Sequence, residues 1–276
     1  MLNSMLCLPG IALCLIASLS AGCASVSTTR EQQQPSWNWT PLFDGKTLRG
    51  WTPKIVGYPA GQDPLQTFRV RNGAIAVNYD RYGARFSGRS GYLFYKQPFK
   101  AFRLSLDFRF IGEQMNDDSI PSIPVSSGVI FNSESAEEMK LDQPLPISIQ
   151  AQILGNDPGG KPRTQGNACG LGVDLISDGK KLAHCINSKA AVAPNGAWIH
   201  LNLEVTGERI IEYIDGKPTV WFDRGALDAT GMDERLPTKE LIAAHGDKLE
   251  LNGGYIALQS DGHPIEFRNI RILSLE

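Results

Sequence analysis

Excess charge of either sign is what this chain most lacks. Its 27 Lys and Arg nearly balance 29 Asp and Glu over 276 residues, for a net charge of −2. With no basic stripe, nothing points to a nucleic-acid partner. Histidine is scarce, with 4 in all, and no CxxC spacing occurs among the 5 cysteines, which weakens any metal-site reading. Long helical patterns are few, whereas Gly 28 and Pro 17 are well represented, which leans toward an all-β chain of many turns. The most apolar stretch, Met5 to Leu19, is too short, and too broken by Pro9 and Gly10, for a comfortable membrane span. A hydrophobic content of 42% suits one large or two small domains with a proper core.

The first 23 residues carry no charged side chain. An apolar run followed by small residues reads as a secretory signal over residues 1–23. Ala21-Gly22-Cys23 looks like a bacterial lipobox, with Cys23 as the acylated first residue of the mature chain. Ser20 stands where such a box usually has Leu. Ala24 after the cysteine suggests an outer-membrane lipoprotein facing the periplasm or cell surface, with a lipid anchor as its one membrane contact. Residues 24–38, rich in Ser, Thr and Gln, read as a flexible tether to a domain over 39–276. Export fits the cysteine count: Cys7 and Cys14 leave with the signal and Cys23 is acylated, so Cys169 and Cys185 remain. A disulfide is the simplest use of that pair in an oxidising compartment, and a metal site helped by His184 is the weaker alternative.

Past the tether, apolar residues recur at every second position. Phe102 to Phe110 alternates cleanly, as do Trp198 to Val205 and Ile147 to Leu154. Asn72-Gly73 and Asp215-Gly216 mark hairpin turns. Residues 228–247 are the one plausible helical or irregular insertion, and about a dozen strands follow from the pattern. Apolar faces on nearly all of them predict two packed antiparallel sheets. In the stretch 147–154, Ile147, Ile149, Ala151 and Ile153 alternate with Ser148, Gln150 and Gln152. The amide row either floors a cleft, with the polar excursion from Gly155 to Cys185 as its wall, or is a solvated outer face.

Several segments resemble a known family. Pro41 to Trp51 is similar to the "LFNGKDLTGW" opening of the bacterial 3-keto-disaccharide hydrolase domain family. Phe102 to Phe110, Ser127 to Phe131, Gln150 to Leu154 and Gly254 to Ile272 match its later motifs in order. Arg163, Asn167 and Cys169, followed by His184-Cys185-Ile186-Asn187-Ser188, resemble the RxxNxC and HCINS motifs of one subgroup. The resemblance, from about Trp39 onward, implies a two-sheet antiparallel jelly roll of the concanavalin A-like lectin/glucanase type. It also implies action on glycosides oxidised at C3 of the sugar. Position 150, usually Glu in the family strand, is Gln here, and the Glu-x-Asp-x-x-Glu motif of family 16 glycoside hydrolases is absent.

Ordinary glycosidases need two carboxyl groups across the bond, and the strand 147–154 offers none. A 3-keto sugar allows another route, in which the ketone acidifies the C2 hydrogen, a base takes it, and the C1 oxygen leaves by elimination before water adds back. That route needs a base near working pH and donors for the enolate oxygen. His184 is the candidate base or acid, His263 a second with Asp261 to orient it, and Arg163 the electrostatic stabiliser. Gln150, Gln152, Asn132, Asn167, Asn187 and Gln259 suit sugar hydroxyls; His200 and His245 read as solvated. No cofactor is predicted, and a divalent cation stays compatible with the fold. The expected partner is an oligosaccharide or glycoside substrate. A non-catalytic carbohydrate-binding module on the same fold is the rival reading, and a purely structural envelope lipoprotein the third.

Overall fold

Alternation of side chains across a pleated strand forces every half-buried strand here to find a cover for one face. The structure, a computed structural model, describes residues 38–116, 125–157, 163–207, 209–230, 234–246 and 248–276. The expected leader, Cys23 and all but the last residue of the expected tether lie outside the described residues.

Two antiparallel sheets carry the fold, in agreement with the expected two-sheet class. The first is 8-stranded and centres on Phe102–Phe110, which pairs with Ile199–Val205 on one side and Ile265–Ser274 on the other. The second is 7-stranded. Its order is Cys185–Ile186, Asn167–Leu171, Ser148–Leu154, Ser126–Ser133, Tyr255–Ser260, Gly91–Tyr95 and Trp51–Ile55. Phe102, Leu104, Leu106 and Phe108 from the first sheet share one core with Val129, Phe131, Ile149, Ala151 and Ile153 from the second. Each of these Val, Leu, Ile and Phe side chains contributes roughly 1.5–3 kcal/mol by leaving water.

Two expectations need correction. The excursion from Gly155 to Cys185 is not a loop wall, because Asn167–Leu171 lies directly beside Ser148–Leu154 as the next strand. It then turns at Gly172, whose φ of +65° favours a residue without Cβ, into Val173–Ser177. Trp51–Ile55, interrupted by Pro53 and Lys54, is an unpredicted strand; proline is tolerated there because the strand is the sheet edge. The insertion 228–247 contains the short helix Thr238–Ala244.

Cys169 and Cys185 face each other across two paired strands and form the expected disulfide. It fastens the two-residue edge strand, which has little ladder of its own. Replacing both cysteines by alanine is expected to lower stability by about 3 kcal/mol, the chain-entropy value for a ring of this size. Urea denaturation of the variant, and of the native protein with and without dithiothreitol, checks this: reductant should destabilise the native protein alone.

One buried acid in the core stands without a partner. Glu212 is fully buried between Leu203 and Val220 on neighbouring strands, and among the described residues neither carboxyl oxygen has a hydrogen-bond partner. Burial pushes its pKa well above the ordinary 4.5, so the side chain stays protonated. The folded state therefore holds this proton more tightly than the unfolded chain. Its contribution to stability is full below about pH 4.5 and declines as pH rises above that value. Glu212→Leu is expected to abolish this decline and to raise stability at neutral pH by about 1–3 kcal/mol, as read from denaturation curves across that range.

Candidate functional site

The outward face of the second sheet is built from alternate residues of its strands. Gln152 stands opposite both Gly128 and Asn167. Leu258 pairs with Val129, which brings Gly128 level with Gln259, and Gln259 stands opposite Tyr92. Glycine at the centre of this row leaves room for a neighbouring side chain. A Cβ at position 128 would lie 2.6 Å from Gln150 Nε2, so only glycine lets the Gln150 side chain lean across it. Gln150 Nε2 then donates to Gln259 Oε1 at 2.6 Å. Gln259 Nε2 donates to the Tyr92 hydroxyl at 3.4 Å, which donates to the Pro144 carbonyl at 3.1 Å. Beside this chain, Asn167 Nδ2 donates to Gln152 Oε1 at 3.1 Å.

The amide row is therefore a buried, mutually bonded layer rather than an open ledge: Gln150, Gln259 and Asn167 are all buried, and Gln152 is half-buried. Asn167 also accepts from Thr164 and from the Ser188 backbone, tying the HCINS segment to the sheet.

The segment 134–147 covers one end of this face. Ala136 and Met139 pack on Tyr92, Phe94, Ile130 and Ala257. Glu134 holds the segment in place, accepting from Ile147 N at 2.6 Å and Gln143 Nε2 at 2.5 Å; burial raises its pKa to about 7. From the sheet edge, the buried Lys54 ammonium donates to Leu141 O at 2.9 Å and Tyr58 O at 3.1 Å. Burial lowers its pKa, against the pull of Asp142.

At the opposite end lies a carboxylate that sequence reasoning took for an orienting turn residue. Asp261 Oδ2 accepts from Ser126 Oγ at 2.7 Å and Oδ1 from Ser90 Oγ at 3.1 Å. Asp261 does not orient His263, whose Nδ1 donates to its neighbour's carbonyl, Pro264 O, at 2.9 Å. The His263 ring is buried edge-on against Phe110, and burial lowers its pKa.

Arg163 reaches this same end, donating from Nη1 to Val125 O at 3.0 Å and Gly155 O at 2.9 Å. Burial lowers its pKa and Asp157 raises it.

The other expected residues lie elsewhere. His184 is exposed and lines a separate cavity of about 440 Å³ with Leu171, Asp174, Lys181, Asp228 and Leu236. Among the described residues no hydrogen bond joins His184 to Gln150 or Arg163. Asn132, at a bulge with φ of +46°, lines another cavity between the sheet ends. Asn187 is exposed. On the far side of the molecule His200 is not simply solvated. Its Nδ1 is 2.7 Å from Asp107 Oδ1 and its Nε2 3.4 Å from Ser105 Oγ. Ser105 is only 1% exposed, too enclosed for attack on a substrate, so this row braces the first sheet. Sequence signals for the missed groups were weak: Asp261 sits in an ordinary Asp-Gly turn, and Tyr92 in an apolar strand.

Gly128→Ala is expected to displace the Gln150 amide and cost about 1–3 kcal/mol, the range for a buried polar group left without its partner. A double-mutant cycle with Gln259→Leu measures this. The second substitution should cost markedly less in the Gly128→Ala background, because the bond between the amides is already broken.

Residues 38–273 match the model of the 3-keto-alpha-glucoside-1,2-lyase-like domain. The chain is 25% identical over 253 residues to a 3-keto-disaccharide hydrolase of Bacteroides thetaiotaomicron, covering 85% of this chain and 78% of that protein. In fold it is similar to a protein of Parabacteroides distasonis assigned provisionally to the glycosyl hydrolases. That likeness has a TM-score of 0.51 at 20% identity and covers 86% of this chain and 100% of that one. The alginate lyase AlyC3 is similar too, with a TM-score of 0.51 at 13% identity over 83% and 91% of the two chains. The match over most of its length makes this chain a member of the 3-keto-alpha-glucoside-1,2-lyase-like domain family, a carbohydrate-active, hydrolase-like group.

Proposed function

We propose that the protein is an exported, lipid-anchored enzyme that cleaves 3-keto-glycosides. The observation that carries this reading is the bonded amide layer Gln150–Gln259–Tyr92, flanked by Gln152 and Asn167 and lying between the Arg163 end and the covering segment. Amides and a phenol at fixed spacing suit sugar hydroxyls, and their mutual bonds pre-organise them. The name of the Bacteroides thetaiotaomicron relative supports the same substrate class. The uncharged apolar leader with Cys23, and a disulfide of the kind oxidising compartments preserve, support export and outer-membrane anchoring.

In this reaction a base takes the C2 hydrogen and the C–H pair forms an enolate on the C3 oxygen. The enolate collapses back to the ketone, its electrons form the C1–C2 double bond, and the C1–O bond to the aglycone breaks. Water supplies a proton to the departing oxygen and hydroxide to C1, while the proton first removed returns to C2. The sum is hydrolysis. Arg163 supplies positive charge for the enolate oxygen. His184 and His263 stay outside the proton transfer, since one lines another cavity and the other is packed on Phe110.

Incubation of the purified protein with a 3-keto-glucoside, with and without divalent metal, is expected to release the aglycone and consume the sugar. Complete stability of the substrate under both conditions contradicts the enzyme reading. The rival reading, a carbohydrate-binding module, is favoured by Gln150 where the family strand usually has Glu. Under it the native chain binds without turnover and Gln150→Glu gains activity.

A further inference from the structure

The elimination needs a proton acceptor that the amide layer does not supply. None of the seven strands of this sheet contains an Asp or a Glu. A carboxylate acceptor must then stand outside these strands. Asp261 follows Tyr255–Ser260 directly and, two residues beyond Gln259, points to the same face. Its bonds agree with that direction: Ser126 is two residues from Gly128 on the outward row, and Ser90 two residues from Tyr92.

We propose that Asp261 is the general base of this site, taking the hydrogen from the carbon beside the substrate ketone, with Ser90 and Ser126 as its positioning residues. The inference rests on the elimination reading above. Each carboxyl oxygen accepts one serine hydroxyl, which fixes the carboxylate plane from both sides and leaves further lone pairs to receive a proton. The residue is half-buried, which shelters it from bulk water. Burial raises its pKa, and the two hydroxyls pull it back. Arg163 is held at the carbonyl of Val125, the residue before Ser126. Base and cation thus stand at one end of the face, as removal of a proton next to a carbonyl requires. The proton moves from carbon to the Asp261 carboxylate and returns to that carbon when water adds, so the side chain ends each turnover as it began.

Asp261→Asn keeps the shape and removes the basicity. With a 3-keto-glucoside, kcat is expected to fall roughly 10²–10⁴-fold, while calorimetry finds the sugar bound within about threefold of the native affinity (~0.7 kcal/mol). Native turnover with an equally active Asp261→Asn variant overturns the assignment and leaves the elimination reading intact. A native protein that consumes no substrate overturns both. If Asp261→Asn fails to fold, as judged by circular dichroism, Ser126→Ala decides, because it removes the 2.7 Å partner and keeps the carboxylate. A fall in kcat of about tenfold with unchanged KM, from loss of one orienting hydrogen bond, supports the assignment; an unchanged kcat overturns it.

Discussion

One hydrogen bond, from the Gln150 amide across Gly128 to Gln259, sets the character of the second sheet's outer face. Two amides buried in a sheet surface are destabilising unless each finds a partner. Here they find each other, and the Tyr92 hydroxyl extends the line to the covering segment. The missing side chain at Gly128 makes this possible. The same arrangement fixes the orientation of the polar groups along this face.

Around this bond the fold supplies two different ends. At one, apolar side chains, Glu134 and Lys54 pin the segment 134–147 over the strands. At the other, Asp261, Ser90, Ser126 and Arg163 gather at strand termini. The interior strands provide a rigid floor, and the ionisable groups stand where the chain leaves the sheet. This division follows from desolvation: a charge in the middle of a buried face needs a buried partner, whereas a strand end keeps contact with water.

Much of the sandwich was legible because strand periodicity is a local signal. Phe102–Phe110, Ser148–Leu154 and Ile199–Val205 alternate over their whole length, and the structure keeps them as strands. Asn-Ala-Cys-Gly-Leu at Asn167–Leu171 carries little β propensity; its place comes from pairing with Ser148–Leu154 and from the disulfide. Gln150 and Gln259 were each legible as amides on a polar face, but their bond spans 109 residues. Proximity of that kind, like the meeting of Ser90, Ser126 and Asp261, is a property of the folded sheet rather than of any window of sequence. His184 shows the converse: a suggestive motif next to a cystine sits in a different cavity once the strands are ordered.

The most direct test of a saccharide site on the amide face follows the side-chain NH₂ resonances of Gln150, Gln152 and Gln259 by NMR while a 3-keto-glucoside is titrated in. Binding on this face should shift the three together with one saturating curve. Shifts confined to residues around His184, or to the His200 face of the first sheet, with the three glutamines unmoved, would contradict it.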